Sequence, residues 1–155
     1  MRAVLSLIVM ILMTSVAQAE MTAREGWSVT PTDKSYEQLI ADVKTAAKAH
    51  KMGVVTQAGP TGAAKSRGIT IPGNRVIGLF NNVYAVNILG LSTAAMIEAP
   101  VRVYVTENTD GTATLSYKLP STVFAPYVLE GGAELEELAA ELDAIFAAIA
   151  QDATE

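Results

Sequence analysis

The sequence predicts an α+β fold: a single two-layer domain in which a mostly antiparallel sheet packs against helices and the chain closes with a helix. Three observations predict it. Tyr36, Leu39, Ile40, Val43, Ala46, Ala47 and His50 recur at the i, i+3, i+4, i+7 spacing of one helical face. Leu135, Leu138, Leu142, Ile145, Phe146 and Ile149 do the same near the C-terminus. Between them, Val101–Glu107 and Thr112–Lys118 alternate in polarity around an Asp110-Gly111 turn, the pattern of a hairpin.

The first element is not part of that domain. MRAVLSLIVMILMTSVAQAE places Arg2 before the apolar run Ala3–Met13 and ends in Ala17-Gln18-Ala19. That order is a secretory signal peptide cut after Ala19, with an apolar run short of the ~20 residues a spanning helix needs. Residues 1–19 are therefore expected to be removed, and the domain is residues 20–155, with a periplasmic or secreted location and no membrane contact once the signal is cleaved. These 136 residues suffice for one genuine core.

Gly26–Thr30 reads as a first strand. Ser35 is the expected N-cap of the first helix, Lys48 and Lys51 suit its C-terminal dipole, and Gly53 is expected to close it. Gly53–Gln57 forms a second strand, followed by a one- or two-turn helix ending near Gly68. Arg75–Phe80 is apolar at both parities, as in a central strand buried on two faces. Asn81-Asn82 then launches a helix over Val83–Gly90, and Ser92–Pro100 is a linker.

Side-chain parity fixes the hairpin turn. A two-residue loop at Asp110-Gly111 would put Val101, Val103 and Val105 on one face with Thr114, Ser116 and Lys118. A three-residue loop, Thr109–Gly111, pairs residue 108 with 112 and joins the valines to Ala113, Leu115 and Tyr117. The second solution separates an apolar from a polar face, with Gly111 left-handed. Residues 119–132 read as a Pro- and Gly-punctuated loop, and the last helix as Ala133 to about Gln151, with Glu134, Glu136 and Glu137 at its positive end.

Composition excludes several chemistries. Residues 1–19 hold Arg2 and no acid, which leaves ten basic and sixteen acidic residues in 20–155, a net charge of −6. An acidic chain without a Lys/Arg cluster is no nucleic-acid binder. The chain has no cysteine, so it has no disulfide, thiolate or Cys-metal chemistry. Gly59-Pro60-Thr61-Gly62-Ala63-Ala64-Lys65-Ser66 nearly spells a phosphate loop, but Ala64 stands where glycine is needed and no strand supplies an acid for Mg²⁺. A strand-to-helix turn with Thr61 as cap is the expected reading. His50, the one histidine, has Lys48 and Lys51 beside it, which repel a metal. No nucleophile motif or carboxylate pair is evident, and neither a cofactor nor a metal site is expected.

Two features carry functional weight. One is the Phe80-Asn81-Asn82 exit of the third strand, with Tyr84 one turn on, where a crevice forms unless Asn82 is only a helix cap. The other is the polar hairpin face of Arg102, Tyr104, Thr114 and Ser116, a solvated surface unless it meets a ligand or subunit. The candidate ligand-binding residues are accordingly Asn81, Asn82, Tyr84, Arg102 and Tyr104.

Gly68-Ile69-Thr70-Ile71-Pro72, then Arg75–Asn81, then Ala99-Pro100-Val101-Arg102-Val103-Tyr104-Val105, then Asp110-Gly111 and Ser116-Tyr117, resemble the bacterial domain of unknown function 302 family over about residues 27–126. The resemblance implies a compact α+β fold that often dimerises, with no established activity. The family's phenylalanine-glycine-asparagine-proline reads Phe80-Asn81-Asn82-Val83 here. Gly59-Pro60-Thr61 stands where relatives tend to carry acidic or histidine residues. Two functions follow as expectations. The first is a non-catalytic extracytoplasmic binding or interaction module, a homodimer taking a small apolar ligand or a protein partner. The alternative is a small-molecule hydrolase or isomerase using Asn81 or Asn82 to polarise a carbonyl and Tyr104 or Tyr117 as acid.

Overall fold

The computed structural model describes residues 21–155. The expected signal peptide lies outside the described residues. Five strands, β1 (Trp27–Ser35), β2 (Gly53–Ala58), β3 (Asn74–Phe80), β4 (Val101–Glu107) and β5 (Thr112–Lys118), form one antiparallel sheet in the order β1-β5-β4-β3-β2. The helices are α1 (Tyr36–Ala49), α2 (Thr61–Ser66), α3 (Asn82–Leu91), α4 (Pro120–Phe124) and α5 (Val128–Thr154). This is the expected α+β arrangement.

The first helix starts as its sequence dictates: Ser35 is extended and its side chain accepts a hydrogen bond from the Gln38 amide. It ends differently. Lys51 takes the left-handed conformation at φ 59°, and the Met52 amide donates to the Ala47 carbonyl at 2.8 Å. The buried Met52 side chain anchors that turn, which frees Gly53 to open β2.

The hairpin adopts the three-residue loop. Val103 faces Tyr117 and Val105 faces Leu115, the Asn108 amide donates to the Thr112 carbonyl at 2.8 Å, and Gly111 has φ 85°. The valines, Leu115 and Tyr117 point at the helices, where α1 and α5 seal the core. Tyr117 meets the Phe146 ring of α5 at 5.6 Å between centroids.

Two expectations are corrected. The strand at Asn74–Phe80 lies inside the sheet, but the central position belongs to β4, and helices cover only one face of it. Ile77 and Leu79 take the covered face by alternation, while Gly78 is buried on the other against Thr56 and the Pro100 ring. Residues 119–132 are helical rather than a loop: α4, a 3₁₀ turn at Ala125–Tyr127, and the first turn of α5. Pro120 and Pro126 fall in the first turns, where a missing N–H costs nothing, so they start helices instead of breaking them. Gly132, at φ 63°, breaks α5 and leaves Ala133 to begin its long straight part.

Candidate functional site

Register determines what the uncovered face of the sheet carries. Tyr117 faces Ser28 and Lys118 faces Trp27, so the alternation puts Trp27, Val29 and Pro31 of edge strand β1 on the face away from the helices. Arg102 and Tyr104 of β4, Ser116 and Lys118 of β5 and Val76 of β3 share it. These side chains surround a groove of about 300 Å³ lined by Trp27, Val76, Arg102, Tyr104, Ser116 and Lys118. Val123 of α4 and Glu98 close its rim.

The polar hairpin face is thus no ordinary solvated surface. Ser116 is 0 % exposed and Thr114 3 %, although no helix lies over them. Thr114 Oγ1 donates to Asn108 Oδ1 at 3.0 Å, while Ser116 Oγ reaches the Tyr104 carbonyl only at 3.5 Å. Burial pushes the Tyr104 phenol above its ordinary value, with the Tyr36 phenol adding to the shift. It is a neutral donor at physiological pH, and its hydroxyl has no hydrogen-bond partner among the described residues. Two cations gather on the indole: Arg24 Cζ stands 5.2 Å and Lys118 Nζ 5.8 Å from the Trp27 ring centroid. Glu98 is engaged elsewhere, accepting a 2.8 Å hydrogen bond from the Tyr127 hydroxyl, which raises that phenol's pKa.

The exit of β3 is built as a cap. Asn81, not Asn82, caps α3. Its backbone is extended, so its side-chain oxygen accepts from the Val83 amide at 2.8 Å, and its Nδ2 donates to the Lys51 carbonyl at 3.0 Å. Asn82 becomes the first helical residue and is exposed. Tyr84 donates to Glu141 Oε2 at 3.0 Å, and burial followed by that contact raises its pKa. The cavity at this exit is about 30 Å³ and apolar, roughly one water in size.

Of the five candidate residues, Arg102 and Tyr104 are brought together. Asn81, Asn82 and Tyr84 form a separate group at the start of α3. Asn81 is five positions along β3 from Val76, the partner of Tyr104, a separation of about 16 Å at strand rise. A carboxamide polarising a carbonyl and a tyrosine acid therefore do not meet in one site. Trp27, Val76 and Lys118 were not singled out from the sequence. The available signal was the shared parity of Trp27, Val29 and Pro31, which marks one face of β1 but not which side of the sheet it occupies.

The remaining motifs resolve as structure. Pro60 rather than Thr61 stands at the N-cap of α2, with no side-chain cap bond, and Thr61 Oγ1 points to the Pro72 carbonyl at 3.4 Å. A Cβ at Gly59 would collide with the Asn74 carbonyl oxygen, so that glycine answers crowding by an acceptor, the wrong polarity for a phosphate. His50 Nε2 lies 2.8 Å from Asp152 Oδ2, tying the end of α1 to the end of α5. Among the described residues no three His, Cys, Asp or Glu side chains are grouped to hold a metal, and no helix is long and apolar enough to cross a membrane.

A five-stranded antiparallel sheet with helices on one face and a groove on the other defines a small α+β domain of the two-layer class. The chain belongs to the family described as Domain of unknown function DUF302, whose model matches residues 27–151. The fold is similar to the crystal structure of an uncharacterized conserved DUF302 protein from Bacillus stearothermophilus, with a TM-score of 0.73 and 16% identity, over 85% of this chain and 100% of that one. At that identity the likeness speaks for the fold alone. No match is found among curated proteins.

Proposed function

We propose that the protein is a non-catalytic binding module, exported by its N-terminal signal, that takes a small and mainly apolar ligand on the open face of its sheet. The observation that carries this reading is the groove of about 300 Å³ walled by Trp27, Val76 and Tyr104, a size suited to a small organic molecule. The hydrolase or isomerase alternative draws no support from the exit of β3, where both polar groups of Asn81 are spent on the backbone.

Thermal shift and fluorescence titration of residues 20–155 with a panel of small apolar compounds test the reading. Binding is expected to raise the melting temperature and to be weakened by Trp27→Ala, with the fold checked by circular dichroism. If no compound stabilises the protein, or Trp27→Ala leaves every affinity unchanged, the groove is not the site.

Self-association is a second reading, favoured by α3. Its sequence NVYAVNILGL has no charged residue, and Val83 and Val86 are each 68 % exposed. The helix adds no charge of its own to the repulsion between two copies of a net negative chain, so a second copy is the occupant proposed for it, with Glu134, Glu137 and Glu141 of α5 at its flank. Light scattering is expected to show a dimer that Val86→Glu dissociates. A monomer at high concentration ends this reading.

A further inference from the structure

We infer that the open-face groove selects an anion: a small ligand with an aromatic or apolar body and one carboxylate- or sulfonate-type group. This rests on the groove being the binding site and adds the charge of what it binds. Residues 20–155 carry sixteen acids and ten bases, so the protein repels anions at long range. Two of those ten bases, Arg102 and Lys118, nevertheless line this groove, and a third, Arg24, lies against its Trp27 wall. Arg24 and Lys118 both lie against the Trp27 ring, at most the sum of their two ring distances apart, and Arg102 lines the same groove. Like charges on one surface repel one another, and a bound anion relieves that repulsion.

Glu98 is the carboxylate in the groove lining; it accepts from Tyr127 and forms no ion pair with these bases, so one acid faces the two basic residues of the lining. The described residues contain ion pairs at Lys34–Asp42 and His50–Asp152, and neither involves Arg24, Arg102 or Lys118. Apart from the Ser116 hydroxyl and the Glu98 carboxylate at the rim, the polar groups at the groove are donors: the Tyr104 hydroxyl, the Arg102 guanidinium and the Lys118 ammonium. Donors of that kind suit a carboxylate or sulfonate, and the Trp27, Val76 and Val123 walls suit an apolar body. Val76 lies beside Tyr104 in the strand register, which puts the apolar wall and the phenol donor next to each other on the sheet.

A matched pair of fluorescent probes tests the charge separately from the groove. 8-Anilinonaphthalene-1-sulfonate and N-phenyl-1-naphthylamine share one aromatic body and differ by the sulfonate. Residues 20–155 are expected to bind the sulfonate more tightly, with affinity falling as salt is added, and to bind the neutral probe with no salt dependence. Arg102→Gln and Lys118→Gln are each expected to weaken the sulfonate by about tenfold, the loss of one charge-assisted contact, and to affect the neutral probe several-fold less. Both side chains are exposed, so the fold should survive, which thermal melting verifies. Equal affinity for the two probes, or sulfonate binding indifferent to both substitutions, overturns the anion selectivity while leaving the groove reading intact. Failure of both probes to bind removes the groove reading and the selectivity with it.

Discussion

On one face of the sheet, Ile77, Leu79, Val103, Val105, Leu115 and Tyr117 lie beneath the helices and are at most 3 % exposed. On the other, Val76, Arg102, Tyr104, Ser116 and Lys118 alternate with them along the same strands and have no helix above them. The covered face is buried by a second layer, so its residues are apolar and interchangeable within a volume. The open face has no second layer: Val123 of α4 and Glu98 reach only the rim of its groove, Pro100 lies against Gly78, and Thr114 and Ser116 are nevertheless buried. A face built that way keeps donors and charges close to apolar surface without dismantling the core. On the proposed reading, stability therefore resides in one side of the sheet and recognition in the other.

The largest test of this division is Phe146→Ala. Phe146 is 1 % exposed and its ring meets Tyr117 through the covered face. Its loss is expected to cost about 3–5 kcal/mol in urea unfolding, the transfer energy of the ring plus the cavity left behind. A loss below about 1 kcal/mol would mean that α5 does not seal that face, and the contrast between the faces would fall.

Gly78→Ala comes next and is sharper because its sign is in question. A glycine inside a strand is ordinarily a weakness, so alanine should help. Here an added Cβ would stand 2.7 Å from Pro100 Cγ and closer still to Thr56 Oγ1 on the open face. The expected outcome is a destabilisation of about 1–3 kcal/mol from overpacking. Stabilisation instead would show the open face to be loosely filled at that point.

These two positions also mark what the sequence discloses. The covered face was legible because period decides it: α1 and the final helix show their apolar stripes, and hairpin parity forced the turn that the Asn108–Thr112 pairing displays. The groove was half legible. Arg102 and Tyr104 follow from that same parity, but Trp27 and Val76 do not. Strand β1 carries Trp27, Val29 and Pro31 on one parity and Ser28, Thr30 and Thr32 on the other, and only its register with β5 says which set faces the helices. That register joins residues some ninety positions apart, with Trp27 opposite Lys118, and no local pattern encodes it. The Asn81-Asn82 exit misled for a local reason. Either asparagine suits a cap, and the choice depends on the backbone at Asn81, whose φ of −138° and ψ of 123° keep it outside the helix.

The smallest expected effect lies where the covered layer is fastened to the edge of the sheet. Lys34, at the end of β1, donates to Asp42 of α1 at 2.9 Å and to the Ala153 carbonyl of α5 at the same distance. The Lys34 hydrogen bond holds the Asp42 carboxyl below the usual carboxylate range, partly opposed by desolvation and aided by Gln38. A depressed folded pKa contributes stability that is present above the unfolded value and is lost as pH falls through the folded one. Both side chains are partly exposed, so solvent screens the pair and Asp42→Asn is expected to cost only about 0.5 kcal/mol at pH 7. The gap between variant and parent should begin to narrow as pH drops below about 3.8, where the unfolded carboxylate protonates, and close as the folded carboxylate, held lower, protonates and loses the contact. Urea unfolding at pH 7 and pH 3 measures it. A gap that stays constant across that range would mean that the Ala153 carbonyl alone holds Lys34, and that the edge strand is tied to α5 rather than to α1.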